Sequence, residues 1–258
     1  MSSKKPRNCP HCGVTECKFI KWGKTAQRRT RYRCPECKKT FTNRTGTIRY
    51  RSQVSDAEWK QVIKMYAMRS CPSGSDIGRY LERNRKTGQR IIRLLRGFMP
   101  PAQAGPALSG IVEIDESVMQ KQWIVGAKSR RTGKLKLYPV RKRDMRTLEA
   151  VVEHACTYNA TAVTDEWKGY NLLKYRRPHY TICHAKEFTD SRFPEIHTQS
   201  IEGVWGNAKP IAKHTHRGYH QLSGFLNRIC FLHNFTHHER TSFLFSLAFP
   251  HFTNTKLV

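Results

Sequence analysis

Apolar and polar positions follow two different rhythms along this chain. From Ser55 to Phe98 the period is helical. Trp59, Val62, Ile63 and Tyr66 fall on one helix face behind Ser55-Asp56-Ala57-Glu58, whose serine and glutamate stand at capping-box spacing. Two more helices are predicted over 73–81 and 86–98. The second turns Ile91, Ile92, Leu94 and Leu95 inward and Arg85, Lys86, Arg90, Arg93 and Arg96 outward. The run Pro100-Pro101-Ala102-Gln103-Ala104-Gly105-Pro106 then breaks the pattern as a linker does.

Beyond the break the period shortens. A strand over 111–118, a second over 123–127 and a third carrying Leu135, Leu137 and Val140 between Lys134 and Lys136 follow one another through short turns, so an antiparallel meander is predicted. Leu148, Val151, Val152 and Ala155 share a helical face. Thr161–Thr164 is a short strand ending in Asp165, and its separation from the meander by a helix predicts a crossover. A fifth strand is read at 180–183. Last come a helix over 200–209, stopped or kinked at Pro210, and a long one with Leu222, Phe225, Leu226 and Ile229 in register. The fold class is mixed, α+β and α/β, and four segments are expected: a small loop-rich module (1–51), a helical domain (52–100), a linker (101–109) and an α/β domain (110–258).

Composition adds a partner. The 258 residues are 38% hydrophobic, enough for an ordinary core, and contain no apolar run of membrane-spanning length. Formal net charge is +28, distributed as +13 over residues 1–51, +6 over 52–100 and +9 over 101–258. Such an excess, steepest at the front, points to a phosphate backbone met first by the N-terminal third. Three short helices with a basic last one suggest a helix-turn-helix, with Arg85, Lys86, Arg90 and Arg93 facing DNA; Arg31 and Arg33 extend the basic surface into the first module. A three-helix packing unit with a solvated basic face is the bland alternative.

Cysteine spacing adds a metal. Cys9, Cys12, Cys34 and Cys37 form two CxxC knuckles with 21 residues between them, the arrangement of a structural zinc site. Nine cysteines, an odd number, and a polar basic start with no apolar signal segment fit reduced thiols better than disulfides, so a cytoplasmic, nucleoid-associated protein is expected, or a nuclear one in a eukaryotic host. Cys17 has no partner at ligand spacing and reads as structural.

Acids at element ends add chemistry. Ile111–Met119 reads IVEIDESVM, and Asp115 among buried β-formers is costly unless a cation meets it. Asp165 ends a strand and Glu202 opens a helix, with Lys209 seven residues further on nearly the same face. Three carboxylates suit Mg²⁺ or Mn²⁺, and two such ions serve phosphodiester chemistry. Asp165 alone could equally cap the following helix. Glu113, Glu116 and Glu166 read as solvated, or paired to the surplus of Arg and Lys, rather than as ligands; Trp167 and Trp205 read as packing residues. His184, His197, His214, His216 and His220 show no ligand spacing.

In order along the chain, the CxxC pairs, the three helices, EIDES, TDEWKGY (164–170), CHAKEFT (183–189), HTQSIEGVWGNAK (197–209) and RGYH (217–220) resemble the zinc-ribbon group of insertion-sequence DDE transposases, relatives of the eukaryotic Merlin elements. The resemblance implies an RNase H-like catalytic fold, a zinc ribbon at 1–51, and transposition in which both element ends are held by a homodimer or larger synaptic complex. It implies a metal-binding triad at Asp115, Asp165 and Glu202 accompanied by Lys209. Relatives commonly carry Asn where Gln199 stands, in an H-x-N-x-I-E pattern, and some use that Asn as the third residue; the seven-residue offset to Lys209 and the charged oxygen favour Glu202. Two other functions fit the same motifs: a catalytically inactive DNA-binding regulator derived from a transposase, and a nuclease that cuts without joining.

Overall fold

The computed structural model describes residues 6–15, 17–68, 72–182, 197–215 and 219–250. The chain forms two compact units, one of Met1–Leu95 with His237–Val258 and one of Arg96–Thr236.

The first unit opens with a three-stranded antiparallel sheet, β1 (Ile20–Lys24), β2 (Thr30–Arg33) and β3 (Thr40–Phe41). Its core is small: Tyr32, Phe41, Cys9 and Cys34, with the Phe19 ring standing edge-on to Phe41 at 5.2 Å. Three helices follow, α1 (Asp56–Ala67), α2 (Gly74–Tyr80) and α3 (Arg85–Gly97). The Ser55/Glu58 capping box forms, and a second one, Ser73/Asp76, starts α2. α2 and α3 touch backbone to backbone. A Cβ on Gly88 would sit 1.9 Å from the Gly74 carbonyl oxygen, so only glycine permits this crossing. Ile91, Ile92 and Leu95 are buried and Arg85, Lys86, Arg90 and Arg93 exposed as the periodicity predicts, while Leu94 is only half-buried.

The domain expected over 110–258 loses its last helix to this unit. α7 (His237–Ala248) packs on α1; Ile48 N–H donates to the Leu247 carbonyl, and buried Arg49 donates to that of Ala248 and lies 4.1 Å from the Phe249 ring. Arg49 also meets Asp56 at 2.7 Å, with Arg44 beside it, and against the cost of burial the two guanidiniums hold this carboxyl below its usual range.

The second unit is a five-stranded sheet in the order β6-β5-β4-β7-β8. β4 (Ile111–Met119), β5 (Gln122–Ser129) and β6 (Leu135–Val140) form the expected antiparallel meander. Gln120 and Lys121, both at positive φ, make the two-residue β4–β5 turn. After α4 (Met145–Ala155) crosses over, β7 (Thr161–Asp165) pairs parallel to β4, and β8 (His179–Ile182) pairs parallel to β7. The helices α5 (Gln199–Thr215) and α6 (Tyr219–Asn234) complete the unit. α4 buries Leu148, Val152 and Ala155 against Val112, Ile114, Val125 and Ala127. α5 and α6 bury Ile201, Trp205, Phe225 and Leu226 against Met119, Ile124 and Leu137 on the other face. This strand order with helices on both faces is the RNase H-like topology. Pro210 lies inside α5 without ending it.

The segment expected as a linker, 101–109, is a strap on the sheet edge. The outer edge of β6 carries unpaired backbone groups, a template for aggregation unless covered. Leu137 donates to the Ala102 carbonyl and accepts from the Gln103 side chain, and Pro139 has no N–H. At Leu135 the Asn234 amide imitates a strand, accepting from its N–H at 2.7 Å and donating to its carbonyl at 2.8 Å. Asn234→Leu keeps the branched outline of the side chain and removes both bonds, so thermal or denaturant unfolding should register a loss of about 1–2 kcal/mol, with greater aggregation on heating.

Candidate active site

Parallel pairing sets the register of the site. Glu113 lies opposite Val163 across β4 and β7, an offset of 50 that also aligns Asp115 with Asp165 at the end of β7. Oxygens of Asp115, Glu116 and Asp165 all come within 4.8 Å of one another. Two of the expected acids therefore meet, and the third member of this cluster is Glu116, which the sequence reading set aside. Neighbours on a strand leave it on opposite faces, yet at the end of the β7 pairing both carboxylates reach Asp165.

Glu202 stands one layer away. Its carboxylate accepts from the Thr198 hydroxyl at 2.6 Å, and its charge contributes to raising the Asp115 pKa, so it belongs to the same electrostatic neighbourhood without entering the cluster. Lys209 is exposed on the same helix. Gln199 is the first residue of α5. Glu166 is exposed, in keeping with a solvated acid. The motif 183–189, residues 217–218 and the side chains of His184, His214, His216 and His220 lie outside what the structure describes.

Fully buried Glu113 takes a structural part. Arg130 donates to its Oε1 at 2.7 Å, while the backbone N–H groups of Ser200 and Ile201 donate to Oε2 at 2.8 and 3.0 Å. A carboxylate on the free N–H groups of a helix start is favoured by hydrogen bonding and by the helix dipole. It docks α5 on β4. One turn along, Trp205 is more than the packing residue expected: its indole N–H donates to Asp115 Oδ2 at 2.8 Å. Gly126, the β5 residue paired with Asp115, makes room, since a Cβ there would lie 2.7 Å from the indole.

The cluster is electrostatically strained. Burial pushes the Asp115 carboxyl up to about 6; the Glu116 backbone N–H and Trp205 oppose the rise, and Asp165 and Glu202 add to it. Burial likewise pushes Glu116 to about 7, opposed by the Tyr170 hydroxyl at 2.8 Å and by Arg143, and reinforced by Asp165 and Asp115. Glu116 Oε1 is buried without a hydrogen-bond partner. Asp165 caps the turn that follows it by accepting from Trp167 N–H at 3.0 Å, as the capping alternative anticipated, while still facing the other two acids. Three crowded oxygen donors, one of them orphaned, fit a hard divalent cation.

In the first unit the four cysteine sulfurs also lie within 4.8 Å of one another, with Cys9–Cys37 and Cys12–Cys34 both at 3.7 Å. Tetrahedral zinc with bonds of about 2.3 Å requires a sulfur–sulfur edge of about 3.8 Å, so the donor set fits that ion. Burial disfavours the Cys34 thiolate, yet the N–H groups of Cys37 and Glu36 bring its pKa down to about 7. Cys17 stays outside the quartet. The described thiols include no disulfide.

Sheet order and acidic cluster together define a domain of the RNase H-like class with a candidate metal centre at the end of its central strands. Residues 111–231 match the family model of the ISXO2-like transposase domain. That match spans a little under half of the chain, and over it the sequence is similar to transposase domains. No curated protein matches the sequence. Among solved structures, the catalytic core domain of BIV integrase aligns at 11% identity and a TM-score of 0.31, over 47% of this chain and 81% of that one. Among the described residues no helix is long and apolar enough to cross a membrane.

Both raised carboxyls favour the folded state when protonated. Their contribution to stability is complete below the ordinary values of 3.8 and 4.5 and is lost as pH climbs through about 6 and about 7. Asp115→Asn should therefore stabilise the protein at about pH 8 in magnesium-free buffer, by on the order of 1–3 kcal/mol, with little gain at about pH 4. Calorimetry at the two pH values checks this, and added Mg²⁺ should raise the Tm of the wild type only.

Proposed function

We propose that this chain is a DNA transposase that binds the terminal inverted repeats of its element, cleaves the ends with divalent metal ions and joins the freed 3′-hydroxyls to target DNA. The observation that carries this reading is the convergence of Asp115, Glu116 and Asp165 within a segment matched by a transposase-domain model. Asp115 and Asp165 hold Mg²⁺ or Mn²⁺, with Glu202 as the third acid of the triad and Glu116 as an additional oxygen donor beside them. Bound divalent cations would supply charge neutralisation at the phosphate and activation of a water or hydroxyl nucleophile. Trp205 keeps the Asp115 oxygen aimed, and Tyr170 orients Glu116. Lys209, exposed on the helix that carries Glu202, meets the DNA backbone.

Residues 1–51 act as a zinc ribbon on Cys9, Cys12, Cys34 and Cys37, and 52–100 as a helix-turn-helix. Arg85, Lys86, Arg90 and Arg93 line the exposed face of α3, and Arg31 and Arg33 lie on β2. Pairing of two ends calls for a homodimer or larger assembly.

DNA carrying the flanks of the protein's own gene, incubated with and without Mg²⁺, is the test. Cleavage and strand joining should require the metal. Asp115→Ala, Asp165→Ala and Glu202→Ala should each bind the ends normally and cut at background rate, whereas Glu116→Ala should cut but need more Mg²⁺. Normal cutting by any of the first three removes that residue from the triad, and binding without cutting by the wild type makes the chain a regulator.

The ribbon is testable separately. Strong chelation should expose Cys9, Cys12, Cys34 and Cys37 to alkylation, counted by mass spectrometry, because a core of three aromatic rings and a few smaller groups cannot hold this module unaided. Protection that persists after metal removal would exclude zinc as its organiser.

A further inference from the structure

Beside the acidic cluster lies an arginine that the triad leaves unused. Arg143, between β6 and α4, has its guanidinium 4.4 Å from the ring of Trp123 and 4.0 Å from that of Trp167. Trp123 comes from β5. Trp167 follows Asp165 and is tied to both sides of the arrangement, its backbone N–H on Asp165 and its indole N–H on the Arg143 carbonyl at 3.3 Å. Two indole rings at cation–π distance restrain the guanidinium while its side chain stays partly exposed, so its N–H donors are open to a further partner.

That rim is uncommitted. The anion closest to it, Glu116 Oε1, is 4.0 Å away, beyond hydrogen-bond reach, and the other Glu116 oxygen is taken by Tyr170. Among the described residues the guanidinium donates no hydrogen bond, and its side chain is 36% exposed. A cation whose sole purpose was to neutralise Glu116 would close to a bidentate pair. Held instead by aromatic faces, it stands ready for a second planar or tetrahedral oxyanion.

We propose that Arg143 is a phosphate-binding residue of the cleavage centre: clamped by Trp123 and Trp167, it presents its N–H edge to a backbone phosphate of the DNA strand at the Asp115/Glu116/Asp165 cluster. This rests on the transposase reading above. The guanidinium fixes which phosphate stands before the acids, a task for the rigid fork of arginine rather than for a mobile ammonium.

The test uses full-length protein and end-sequence DNA carrying one uncharged methylphosphonate at successive positions around the cut. For the wild type one position near the cut should slow cleavage by about tenfold or more, the effect of losing a charged hydrogen bond. Arg143→Gln should be slowed about as much on unmodified DNA and lose nothing further at that position, while the other positions slow it as they slow the wild type. Arg143→Lys, which keeps the charge but not the stacked fork, should cut about tenfold more slowly or worse with unchanged Tm, and it takes over the comparison if the glutamine variant unfolds. Wild-type cutting by Arg143→Lys, or a methylphosphonate effect that multiplies with the Arg143 substitution at every position, overturns the proposal and leaves the transposase reading intact. A wild type that cuts no end sequence overturns that reading, and this one with it.

Discussion

A carboxylate outside the acidic cluster holds the site together. Glu113 is fully buried, an expensive place for a charge unless every lone pair is met. It is met from two directions at once, by Arg130 and by the first free N–H groups of α5. Removing either partner would leave a charge buried and uncompensated, so helix and strand are locked in one register. Everything that α5 contributes follows from that lock. Trp205 reaches Asp115 because the helix start is pinned two strand positions before it, and Gly126 permits the indole to lie flat on the neighbouring strand. The fixed acid thereby positions the indole that holds Asp115.

The cluster itself is built against stability. Folding brings Asp115, Glu116 and Asp165 together in a half-buried place, where lost hydration, and after it repulsion between the acids, raises the pKa values of Asp115 and Glu116. The surrounding sheet, with two apolar layers on its faces, is large enough to absorb that cost. The cysteine module is the opposite case. Its apolar core is so small that the metal donors are among its principal buried groups, and a cation there would be a structural member rather than a guest. One chain therefore carries two kinds of donor set: one that a domain with its own large core can hold together, and one that makes up much of the core of its module.

Much of this was legible in the sequence where one physical signal dominated. Period-2 alternation fixed the meander, helical periodicity fixed α1, α3, α4 and α6, and CxxC spacing fixed the sulfur quartet, because in each case local pattern and tertiary role agree. α7 escaped because Phe243, Leu244, Phe245, Leu247 and Ala248 form a run rather than a stripe, so no period announced a helix, and its partner α1 lies far back in the chain. Glu116 escaped for a geometric reason: adjacency to Asp115 implies the opposite face, and only the ragged end of the β4–β7 pairing lets both acids converge. Nor does any sequence rule say that Asn234 will imitate a strand or that a proline-rich segment will cover an edge. Those are long-range hydrogen bonds made by residues whose local preference is for loops.

The charge of the chain and the charge of its site have opposite signs, and the difference has a physical consequence. A net charge of +28 attracts any polyanion from a distance and is weakened by salt within about 10 Å. Such a field gathers DNA without saying which phosphodiester bond stands before the acids. Under the proposed function, selection at that scale needs short, oriented contacts, and an acidic cluster cannot make them alone, since it repels a phosphate backbone. Divalent cations would remove part of the repulsion, and a cation fixed in direction would supply the rest. Arg143, held against two indole rings beside Glu116, has the position and rigidity for that part, which the many mobile lysines of the surface lack.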